Sequence, residues 1–60
     1  MNAPATIGEL WTPKRGHRDA GQLEIRMIHR ADRAVTVYTS TGDRRTITWR
    51  DLRRVWRKVP

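Results

Sequence analysis

Apolar and polar residues alternate with a period of two over several short stretches of this chain. Leu23-Glu24-Ile25-Arg26-Met27 alternates cleanly, and Ile28 then breaks the phase, as a β-bulge would, before His29-Arg30. Ala34-Val35-Thr36-Val37-Tyr38-Thr39 is β-branched, aromatic and alternating, the clearest strand in the sequence. Thr41-Gly42-Asp43 marks a turn, and Arg44 to Trp49 reads as the return strand of a hairpin. Ile7-Gly8-Glu9-Leu10-Trp11 is enough for a short first strand. Between it and Leu23 the stretch from Thr12 to Gly21 is polar and basic, punctuated by Pro13, Gly16 and Gly21, and predicts a loop with weak packing and high mobility. Met1 to Thr6 carries Pro4 and small residues and reads as a disordered arm. Short strands separated by turns predict an all-β fold, one small barrel domain of about five strands over residues 7–60. Its expected core is Leu10, Leu23, Ile25, Val35, Val37, Ile47 and Leu52, with at least one tryptophan.

The last segment admits two readings. Thr48-Trp49-Arg50-Asp51 has the form of a capping box, and Leu52, Val55, Trp56 and Val59 follow at the spacing of an amphipathic helix. The same residues fit a 3₁₀ turn at about Asp51 to Arg54, followed by a closing strand from Val55 to Val59. Both bury Leu52, with Trp56 beside it, and both leave several arginines outside. A lone C-terminal helix would leave the hairpins with an open sheet edge, so the expectation is the turn and strand.

Taken together, Gly8 to Trp11 as first strand, the long loop to Gly21, the meander from Leu23 to Trp49 and the Asp51-Leu52-Arg53-Arg54 turn resemble the SH3-like small barrels, the group that includes the Tudor and KOW-type modules. The chain is also similar to short basic proteins of actinobacteria and their phages, with a tryptophan near the start and a basic tail around Leu52 and Trp56. The resemblance implies a small barrel with a 3₁₀ turn before its last strand. A fold of this kind does not assign a function.

Charge changes the picture most. The 60 residues carry 13 Lys+Arg against 6 Asp+Glu, a formal net charge of +7. Of this, +6 falls between Arg44 and Pro60, where Asp51 stands against six arginines and one lysine. The middle of the chain, Leu23 to Asp43, is neutral. Arginine dominates the cations, which favours planar, bidentate or stacked contacts. A chain of this size buries only about 60% of the surface that its unfolded form exposes, so little is left over for an elaborate active site. The absence of cysteine removes disulfides, thiolate metal sites and a thiol nucleophile together. No apolar run approaches the ~18 residues of a membrane span, and Met1 to Gly8 lacks the pattern of a signal peptide, so the expected location is the cytoplasm.

The catalytic inventory is thin. His17 and His29 are isolated, Ser40 sits in a turn with no base placed beside it, and Glu9 and Glu24 are better suited to salt bridges with arginine. A non-enzyme without cofactor, metal or small-molecule substrate is expected. The basic tail carries the functional reading instead: a weakly sequence-specific nucleic-acid-binding module using Arg44, Arg45, Arg50, Arg53, Arg54, Arg57 and Lys58, joined by Lys14, Arg15 and Arg18 from the first loop. Trp49 and Trp56 would add base stacking if exposed, although a barrel this small needs tryptophan volume in its core. The alternative is a protein-interaction module that binds or inhibits an acidic partner surface, or pairs through a strand edge. An arginine- and tryptophan-rich helix lying on an anionic membrane ranks last, because the alternating pattern argues for a globular domain.

Overall fold

The computed structural model describes residues 2–15 and 21–60. His17, Arg18 and the centre of the expected loop lie outside the described residues. The fold is mostly sheet: β1 (Leu10–Pro13), β2 (Leu23–His29), β3 (Ala34–Thr39), β4 (Arg44–Thr48) and β5 (Trp56–Lys58), with one short helix, α1 (Trp49–Val55), between the last two strands. All neighbours are antiparallel, in the order β4-β3-β2-β1-β5. The sheet is barrel-like but does not close: β4 and β5 are its two edges, and α1 carries the chain from one to the other.

The alternation in β2 and β3 turns one face of each strand inward. Leu23 and Ile25 pack with Val35 and Val37, and the tryptophans Trp11 and Trp49 and Leu52 of α1 complete the core. The phase break in β2 is a bulge. Ile25 opposes Val37 but Met27 opposes Thr36, so Arg26 is the extra residue and the break falls two positions before Ile28. Its consequence is that Ile28, opposite Val35, turns back toward the core. The β3–β4 hairpin closes through Gly42, whose φ of 90° suits glycine, with Gly42 N–H donating to Thr39 O.

Several expectations are corrected. The first strand starts at Leu10, not Ile7, and runs through Thr12 and Pro13 of the expected loop. Ile7 and Gly8 form a turn, with Gly8 at φ 95° and Glu9 N–H donating to Thr6 O, which leaves Ile7 in solvent. Leu10 is not in the core. It opposes Glu24 on the outer face and is 41% exposed, whereas Trp11 opposes Leu23 and faces inward. With a period of two only one of the pair can be inside, and the indole buries more apolar area. Finally, the Asp51–Arg54 turn is part of a full α-helix of seven residues. Thr48, extended ahead of it, caps the first turn by accepting from Asp51 N–H at 3.2 Å, and Trp49 and Leu52 anchor one side of the helix. A strand does follow, shorter than expected, because Trp56 is already extended (φ −117°, ψ 158°) and pairs with Pro13. Ile47 is half-buried at the margin of the core, and Ala5, in the stretch read as an arm, is buried within it.

Candidate nucleic-acid interface

The hairpin register decides where the basic residues go. Pairing through the β3–β4 turn sets Val35 opposite Ile47, and one step further Trp49 N–H donates to Arg33 O at 2.7 Å. The start of α1 is thereby fixed beside the β2–β3 turn. Trp49 secures it from inside: its indole is buried, and Nε1–H donates to Ala34 O at 3.1 Å. The exposed side of α1 then presents Arg50, Arg53 and Arg54. Arg50 and Arg53 share a shallow depression of about 620 Å³ with Arg33 and Asp32.

At the other end of α1, Lys14 N–H donates to Val55 O, and the Lys14 ammonium donates to Arg53 O. A cation on the last carbonyls of a helix is favourably placed. Lys14, Arg15 and Arg54 line a second depression of about 440 Å³. A basic ridge along α1 results, with Arg33, Arg50 and Arg53 around one depression and Arg54, Lys14 and Arg15 around the other, six exposed cations against Asp32 and Asp51. Asp51 is engaged by Arg54 at 3.2 Å, an exposed i,i+3 pair of small energetic weight.

The remaining candidates are elsewhere. Arg44 and Arg45 project to opposite faces of edge strand β4, Arg44 beside Tyr38 on the outer face and Arg45 on the core side with Ile47. Arg57 is exposed on β5 opposite Thr12. Lys58 is engaged: its ammonium sits 3.0 Å from Glu9 Oε2, while Thr6 N–H donates to Glu9 Oε1 at 2.7 Å. Burial pushes the Glu9 carboxyl up, while the Thr6 N–H and the hydrogen bond and charge of Lys58 hold it down, and the group titrates below its ordinary value. The Trp11 Nε1–H meets no hydrogen-bond partner among the described residues. Aromatic stacking has little to work with on the ridge, since Trp49 is core and Trp56 is partly buried against it. On the outer sheet face the Arg26 guanidinium lies 5.0 Å from the centre of the Tyr38 ring and 3.5 Å from Glu24.

Sequence reasoning missed Arg33, which the charge count hid in a neutral segment. The signal was present: a hairpin closing at Gly42 sets Arg33 opposite Trp49. Among the described residues no three His, Cys, Asp or Glu side chains come together as a metal site would require, and no helix is long and apolar enough to cross a membrane. No protein-family model, curated protein or solved structure matches the chain.

Proposed function

We propose that the chain is a small cytoplasmic, non-catalytic nucleic-acid-binding module of weak sequence specificity. The observation that carries this is the ridge along α1, where six exposed cations from three separate segments line two depressions on the same helix. Guanidinium and ammonium groups in such a row neutralise consecutive phosphates and release counterions, with affinity that does not depend on base identity. The meander, the helix before a short last strand and the pairing of that strand with the first support an SH3-like frame for the ridge. Arg57 at the β5 edge adds charge to the same function from outside the ridge.

The test is fluorescence anisotropy with labelled duplex DNA, single-stranded DNA and RNA across a salt series. Neutralising about five phosphates gives a log–log slope on duplex DNA of about −4 to −5. Arg53→Ala and Arg54→Ala should each weaken binding to every sequence and reduce the slope by about one. No binding at low salt, or unchanged binding by both variants, would leave the ridge a solvated face or a surface for an acidic protein.

A further inference from the structure

Apart from the ridge, the β4 edge of the open sheet is the most unusual surface. We infer that it takes up an extended acidic peptide as an added antiparallel strand. Three observations bear on this. First, the backbone is available. Thr39 N–H donates to Asp43 O and Trp49 N–H to Arg33 O, so the odd-numbered residues from Asp43 to Trp49 are the ones turned toward β3. In an antiparallel ladder the alternate residues face the other way, so the N–H and C=O groups of Arg44 and Thr46 point out from the edge. β5 offers less: it is three residues long against five for β4, and the ammonium of Lys58, one of its two outward residues, is held by Glu9.

Second, the gap between the two edges is a cleft of about 610 Å³, partly lined by Ile47, Val55, Trp56 and Leu23, with threonine hydroxyls at its margin. A strand laid on β4 would send every second side chain toward it. Third, the charge selects the occupant. Neither Arg44 nor Arg45 has an ion pair among the described residues; of the two acids that line the cleft, Asp43 is held in the turn by Thr39 and Thr41, and Asp51 is paired with Arg54. Two copies of this chain meeting edge to edge would bring four arginines together, which blocks self-pairing, as charged edges commonly do. An incoming strand with acids on its outer face, opposite Arg44, and apolar residues on its inner face, beside Ile47, meets the opposite situation.

The probe is a fluorescein-tagged, end-capped hexapeptide alternating Glu and Val, with a Lys/Val hexapeptide as comparison, followed by anisotropy and amide hydrogen exchange on the intact chain. Binding of the Glu peptide, with new protection at the Arg44 and Thr46 amides, is the expected result. Arg44→Glu should weaken it by at least about tenfold. Thr46→Pro removes the central edge donor without altering charge. It should abolish peptide binding and leave the salt slope on duplex DNA unchanged, which separates this inference from the ridge reading. Should Thr46→Pro fail to fold, the exchange pattern of the unmodified chain decides. Equal binding of the Lys peptide, perturbation confined to α1, or a dimer with β4 amides protected in the absence of peptide would each overturn the proposal.

Discussion

Trp11 and Trp49 offer a matched experiment on how this small core is held. Both indoles are buried, at 7% and 4% exposure, but their N–H groups fare differently. That of Trp49 donates to Ala34 O, whereas that of Trp11 has no partner among the described residues. Replacing either by Phe removes the same atoms, so the losses of packing are similar. Trp49→Phe also forfeits a buried hydrogen bond worth about 1 kcal/mol net, and Trp11→Phe removes a buried unsatisfied donor whose desolvation costs about 1–3 kcal/mol. Trp49→Phe should therefore be the less stable variant by about 2 kcal/mol or more. For a domain of this length the whole stability is about 3–9 kcal/mol, so the difference is large. With an m-value of about 1 kcal/mol/M, urea melts followed by far-UV circular dichroism should show midpoints roughly 2 M apart. Coincident midpoints would refute the reasoning. They would mean that the Trp11 N–H is satisfied in solution, with the Glu9 carboxylate as the candidate acceptor.

Two further outcomes follow from the capping and charge geometry. Thr48→Ala removes the acceptor for Asp51 N–H and should destabilise the domain by about 1 kcal/mol, read from thermal melts, with loss concentrated in the exchange protection of α1. Because folding lowers the Glu9 pKa, its contribution is fully present above the ordinary glutamate range and is lost as pH falls through the lowered folded value. Glu9→Gln should accordingly be less stable than the parent at neutral pH, and the two melting temperatures should converge as the solution is acidified toward about pH 2.

Much of this molecule is written in local pattern. Period-two alternation in Leu23 to Met27 and Ala34 to Thr39 is enough to name two strands, their inward faces and the presence of a bulge, because a side chain's face in a strand depends only on parity. Thr48 and Asp51 announce the helix cap for the same reason: capping is settled within four residues. Composition concentrates the charge near the C-terminus. Other features depend on partners far along the chain. Leu10 and Trp11 compete for one inward position, and the contest is decided by β1 lying against Leu23. Whether Asp51 to Arg54 forms a single turn or a helix depends on Trp49 finding a pocket beneath Ala34. The grouping of the basic residues is likewise tertiary. Arg53, Lys14 and Arg33 come from separate segments and meet because Trp49 bonds to Arg33 at one end of α1 and Lys14 bonds to Val55 at the other. Arg44, Arg45 and Lys58 are neighbours of that segment in sequence, yet strand parity and the Glu9 carboxylate direct them elsewhere. Charge density is a property of the chain, while a charged surface is a property of the register that folds it.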